Sequence, residues 1–113
     1  FAGSPGGIAP PPGAQRLSGI ERSGAGLGEQ IVVWSVPDAS VANVATHLRQ
    51  EAEGHGFREV SRQADGSASD VWRAVFHGGG GEGSAGQSML IVRVAARGQS
   101  VRVVVWLRYA SSP

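Results

Sequence analysis

Three side chains with metal-ligand chemistry recur at four-residue spacing in the middle of the chain. His47, Glu51 and His55 would share one face of a continuous α-helix, and Zn²⁺ accepts both imidazole and carboxylate ligands. Gly54 stands between the second and the third of them, however, and glycine commonly ends a helix. We therefore expect solvated or capping roles for the two histidines and no metal site.

Two glycine-rich patterns are similar to ligand-binding motifs. Gly81, Gly83 and Gly86 satisfy G-x-G-x-x-G, but a dinucleotide fingerprint opens a helix, whereas this one leads into a predicted strand near Ser88. His77 with Gly78, Gly79 and Gly80 is similar to an esterase oxyanion loop, but the chain has no G-x-S-x-G nucleophile elbow. Both patterns indicate a flexible loop over residues 78–87.

The acidic residues give no sign of general acid–base chemistry. The chain has nine carboxylates and no cysteine, and the lack of cysteine removes disulfides, thiol chemistry and cysteine-ligated metals. A catalytic carboxyl pair must be held together in an apolar setting, but Glu51 and Glu53 point to different sides of the predicted helix. We therefore predict a protein that is not an enzyme and that needs no cofactor.

Arginine offers the remaining chemistry. All ten basic residues are arginine, and the net charge is only +1, so no overall attraction to nucleic acid or to a membrane surface is expected. The distribution is uneven, because residues 88–113 carry four arginines and no acid, whereas residues 1–87 carry six arginines and nine acids. We therefore expect a local positive surface built from the last part of the chain.

The segment that carries these arginines predicts a β-hairpin over residues 88–110. Apolar residues alternate along it, and Gly98 with Gln99 suits a two-residue type II′ turn, which needs a positive φ at its first central residue. Pairing Arg97 with Ser100 makes one face wholly apolar. The predicted pairs on that face are Val94 with Val103, Val92 with Val105, and Leu90 with Leu107.

The opposite face of the hairpin is the candidate functional site. It combines arginine with large apolar side chains, namely Ile91, Arg93, Arg102, Trp106 and Arg108. Tryptophan and arginine are enriched at protein interfaces, so we predict a module that acts by protein contact, as a self-associating or envelope-assembly component. A nucleic-acid-binding sheet is the alternative, although only one aromatic residue is available. The third interpretation is a solvated face whose arginines cover apolar neighbours.

The other segments supply the elements around this hairpin. The glycine- and proline-rich composition of residues 1–14 predicts a tail or linker. Phe1, Ile8 and residues 10–12 are nevertheless expected to dock on their own domain or on a neighbouring chain. Residues 15–110 predict one α+β domain, in which one amphipathic helix packs on an antiparallel sheet of five or six strands in the order ββαβββ. Strands are predicted near 15–22, 29–36, 57–63 and 70–77, and turns or loops at 64–69 and 78–87.

The helix is predicted over residues 41–53. Ser40 suits its N-cap, and Val44, Leu48 and Ala52 recur at helical spacing. We expect these three residues to pack against the sheet face that carries Val103 and Val105.

A PPPGA segment at residues 10–14, a helix with valine and leucine four residues apart, and a glycine–aromatic step occur in this order. The positions concerned are Pro12, Gly13, Ala14, Val44, Leu48, Gly56 and Phe57. Over roughly the first half of the chain, this arrangement resembles a group of small bacterial envelope proteins. The resemblance implies a domain in the periplasm or cell envelope, often tethered as a lipoprotein. Membrane contact is then expected only through an anchor preceding Phe1.

Overall fold

The computed structural model describes residues 3–64, 70–78 and 88–110. A short 3₁₀ turn (Pro5–Gly7) precedes strands β1 (Gln15–Gly24) and β2 (Leu27–Pro37), helix α1 (Val41–Gly54), and strands β3 (Phe57–Ala64), β4 (Val71–Gly78), β5 (Met89–Arg97) and β6 (Ser100–Ala110). All six strands form one antiparallel sheet. The predicted α+β class is therefore confirmed.

The predicted element order ββαβββ is wrong. Four strands follow α1 in the described part of the chain, and the spatial order of all six described strands is β1-β2-β6-β5-β4-β3. The reason is that the closing hairpin contributes two full strands with different outer neighbours, since β5 pairs with β4 and β6 pairs with β2. Helix α1 carries the chain from one half of the sheet to the far edge, and the hairpin then fills the centre.

The register of this hairpin is confirmed. Arg97 pairs with Ser100, and the three predicted apolar pairs are all present. Each of their six residues is buried. Gly98 has φ +64, whereas Gln99 is not among the residues with positive φ, and this combination is that of a type II′ turn. The alternation of apolar residues therefore determines which side of the sheet is core.

Helix α1 forms as its capping and spacing predict. The Ser40 side chain accepts a hydrogen bond from the Asn43 backbone N–H at 3.1 Å, which satisfies a donor of the first turn. The buried face consists of Val41, Val44, Ala45, Leu48 and Ala52.

The helix packs on the predicted sheet face, since Val44, Leu48 and Ala52 share one buried core cluster with Val103 and Val105, but it lies over one half of that face. It packs mainly over β3, β4 and β5, whereas the 3₁₀ turn covers β2 and β6. Val103 and Val105 belong to β6. The helix lies over β3 to β5 because the amino-terminal segment occupies the same sheet face over β2 and β6. Ile8 is fully buried in the hydrophobic core.

The expected docking of the amino-terminal segment is confirmed for Ile8 and, in part, for residues 10–12. Pro11 is buried, whereas Pro10 and Pro12 are exposed. Phe1 lies outside the described residues, as do the predicted turn at 64–69 and the predicted loop at 78–87, apart from the strand ends Ala64 and Gly78. Within the described ranges, no helix is both long and apolar enough to span a bilayer.

Candidate functional site

The sheet face turned away from α1 and the amino-terminal segment, here called the outer face, carries a continuous line of apolar side chains. Register partners in β1, β2, β6, β5 and β4 place them side by side, and we call them the apolar row: Ile20, Ile31, Trp106, Ile91 and Val75. With about 4.8 Å between neighbouring strands, the row is roughly 19 Å long. Ile20 is 47% exposed, and the other four side chains are half-buried.

Arginines lie on both sides of the apolar row. Arg93 and Arg73 are register partners in β5 and β4, two residues along each strand from Ile91 and Val75. Arg108 lies two residues beyond Trp106 on the opposite side, and Arg58 of β3 shares that side. A two-residue step along a strand is about 6.8 Å, so a guanidinium group can reach a ligand that covers the apolar row.

Ion pairing divides the ten arginines into two groups. Arg22, Arg49 and Arg62 form ion pairs with Glu29, Glu53 and Glu59, respectively, and the Arg16 guanidinium donates to the Gly3 carbonyl oxygen at 2.8 Å. The other six form no ion pair with any described residue, and their register positions all lie on the outer face: Arg58, Arg73, Arg93, Arg97, Arg102 and Arg108. The positive charge of the outer face is therefore not neutralised by the described part of the chain.

Trp106 is the centre of the apolar row and lies beneath an arginine. The Arg108 guanidinium carbon is 5.6 Å from the indole centroid, within the range of a cation–π contact. The indole Nε1 of Trp106 and the Nε of Arg102 are buried and have no hydrogen-bond partner. A buried N–H without an acceptor carries a desolvation cost. Neither of these two N–H groups has an acceptor among the described residues.

The structure brings the predicted site residues together. Ile91, Arg93, Arg102, Trp106 and Arg108 all lie on the outer face of β5 and β6.

The sequence-based hypothesis missed Ile20, Ile31 and Arg58, which extend this surface toward both edges. The alternation of apolar residues in β2 was the available signal for Ile31. Its position beside Trp106 follows only from the pairing of β2 with β6.

Both edges of the sheet carry a β-bulge. The register shifts between Arg16 and Ser18 in β1, and between Glu59 and Ser61 in β3. The extra residues, Leu17 and Val60, are 50% and 52% exposed. Bulges twist an edge strand and discourage edge-to-edge pairing, so the outer face is the more accessible surface for a partner.

His47 and Glu51 bind the amino-terminal segment, and His55 lies beside Glu51. Glu51 Oε1 accepts a hydrogen bond from the Ala9 backbone N–H at 2.9 Å, and His47 Nε2 lies 3.0 Å from the Ala9 carbonyl oxygen. His55 Nε2 lies 3.7 Å from Glu51 Oε1. Among the residues that the structure describes, no group of three potential ligands could hold a metal ion. The glycine motif at residues 81–86 lies outside them.

Glu59 and Arg62 form a short ion pair at the β3 edge. The Arg62 guanidinium donates to both carboxylate oxygens, at 2.7 and 3.1 Å, and this hydrogen bonding holds the pKa of Glu59 below its ordinary value. Because the folded-state pKa is lowered, the pair stabilises the fold above the ordinary glutamate range, and the contribution is lost as the pH falls through the folded-state pKa.

We expect Arg62→Gln to raise the pKa of Glu59, measured by NMR titration of its side chain. Arg58→Gln is the matched control, because Arg58 makes no ion pair with Glu59 and should leave that pKa unchanged. An equal shift in both variants would mean that general charge, and not the bidentate contact, lowers the pKa.

Comparison of the sequence with known proteins gives no family for this chain. No protein-family model matches the chain, and no curated protein matches it significantly.

Proposed function

We propose that this chain is a non-enzymatic module that binds a protein partner through its outer face. The observation that carries the proposal is the apolar row, which crosses five adjacent strands without α1 or the amino-terminal segment above it. Large apolar side chains beside arginines have the composition of an interface centre. An extracytoplasmic setting, as in small envelope domains, is part of the same proposal.

A nucleic-acid-binding sheet is the second candidate, and the six arginines without ion pairs favour it. Single-stranded nucleic acids bind to sheets mainly by stacking bases on several aromatic rings. Trp106 is the single Phe, Tyr or Trp side chain on the outer face of the described strands, and Arg108 lies over its ring. The protein interface therefore has the stronger support.

The sequence offers a specific probe of this surface. Met89 is the single methionine of the chain, and it lies on the outer face between His77 and Arg108. Photoreactive methionine, incorporated at this position with any initiator methionine removed, would mark the outer face alone. We expect cross-linking of whole cells to give discrete protein adducts and Trp106→Ala to reduce their yield by at least about tenfold, as loss of an interface anchor does.

The control moves the probe to the opposite side of the molecule. A Met89→Leu, Thr46→Met double variant places the photoreactive group on the exposed face of α1 and should lose these adducts. Sedimentation of the purified protein separates self-association from a different partner. Equal adducts from both positions, or adducts that survive Trp106→Ala, would count against the proposal.

A further inference from the structure

The charges of the outer face indicate the chemistry of its partner. We propose that the partner is an acidic amphipathic segment of a different protein, with apolar side chains along the apolar row and carboxylates on the flanking arginines. This inference rests on the proposed function, because it assigns the ligand of the same surface.

The imbalance of charge is the first argument. The outer face carries six arginines that form no ion pair with a described residue, whereas Glu29 is the one carboxylate on this face of the described strands, and Arg22 holds it at 3.2 Å. A guanidinium group covered by a partner without an acceptor loses its hydration and gains nothing in return. A partner that buries these arginines must therefore supply acceptors, and the carboxylates of a protein partner bind guanidinium groups in a bidentate manner.

The arrangement of these charges is the second argument. Arg93 and Arg73 lie on one side of the apolar row, and Arg108 and Arg58 lie on the other. A segment with an apolar stripe between two acidic flanks matches this pattern. A uniformly acidic peptide would leave Ile91 and Trp106 without apolar contacts, and a purely apolar one would desolvate the arginines.

A second copy of the chain does not fit this surface. Stacking two outer faces would bring arginine against arginine, which is destabilising. The chain also has few carboxylates to offer, because five of the described ones already accept hydrogen bonds or form ion pairs. These are Glu21, Glu29, Glu51, Glu53 and Glu59.

Two matched peptides test the proposal. Both would be helix-forming, about 14 residues long and hence about 21 Å as a helix, with leucine at the same i, i+3, i+4 and i+7 positions. One carries glutamate on both flanks, and the other carries glutamine. We expect the glutamate peptide to bind the full chain at least about tenfold more tightly in calorimetry at low salt, because opposite charges across an interface favour association.

Two double variants distinguish the effect of the outer-face arginines on peptide binding from the effect of the protein's net charge. Arg73→Gln with Arg93→Gln should abolish the preference for the glutamate peptide. Arg49→Gln with Arg62→Gln changes the net charge equally, but these arginines lie away from the outer face in ion pairs, so the preference should remain.

The alternative outcomes are distinct. Equal affinity for the two peptides, no binding by either up to about 1 mM, or an equal loss in both double variants would overturn the inference. Tighter binding of a single-stranded oligonucleotide, lost in Arg73→Gln with Arg93→Gln, would overturn it in favour of nucleic acid. If Trp106-dependent cross-linking from Met89 persists in any of these cases, the proposed function stands and only the acidic chemistry of the partner is wrong.

Discussion

Leu48→Ala is expected to lower the free energy of unfolding by about 2 to 5 kcal/mol, as truncation of buried leucines does. Leu48 is 1% exposed at the centre of the buried face of α1, within the core cluster that includes Phe76 and Val92. The loss combines the apolar surface no longer removed from water with the cavity that remains, because a helix fixed at both ends cannot collapse fully into the space.

Urea or guanidinium unfolding followed by circular dichroism measures this effect. Gln50→Ala is the control, since Gln50 is exposed on the same helix and alanine suits a helix at least as well. A change below about 0.5 kcal/mol for Leu48→Ala, the size typical of surface substitutions, would mean that α1 does not dock through Leu48.

Ile8→Ala is expected to cost a similar 2 to 5 kcal/mol, although it lies in a segment whose composition predicts a tail. Ile8 has 0% of its surface exposed, and its neighbour Ala9 is held by Glu51 and His47 of α1. The 3₁₀ turn just before it covers β2 and β6. Removing the isoleucine side chain would therefore open the core on the half of the sheet that α1 does not cover.

Pro10→Ala is the matched control for this substitution, because Pro10 is exposed. In denaturant unfolding, the free energy of unfolding should be lower for Ile8→Ala than for Pro10→Ala by most of the expected effect of about 2 to 5 kcal/mol. If both variants unfold like the wild type, the amino-terminal segment contributes nothing to the fold, and a simple linker over residues 1–14 becomes the correct description.

Local features of the sequence were sufficient to predict the hairpin and the helix. Gly98 supplies the positive φ of the turn, and Ser40 supplies the N-cap, so each signal lies within or beside the element that it defines. The composition of the outer face of β5 and β6 followed from the same alternation, because the register of a two-residue hairpin is fixed by its turn.

Long-range pairing could not be predicted in this way. The position of Ile31 beside Trp106 depends on β2 pairing with β6, two strands separated by α1 and three further strands. Docking of Ile8 was expected, but the half of the sheet that receives it was not, because a glycine–proline segment has no hydrophobic periodicity that marks one side as core. The spacing of His47 and Glu51 predicted a shared helix face but not its use, which is to hold the Ala9 backbone.

The central position of β6 also constrains how the chain acquires its structure during synthesis. β6 is the last of the described strands in chain order, yet it lies between β2 and β5. Before it emerges from the ribosome, the β1–β2 hairpin and the β3–β5 sheet can form only as separate pieces, each with an apolar surface and an unpaired edge. Contacts between residues so distant in sequence make folding slow, and such partly folded species are prone to aggregate. The nascent chain is therefore most in need of a chaperone just before β6 is released.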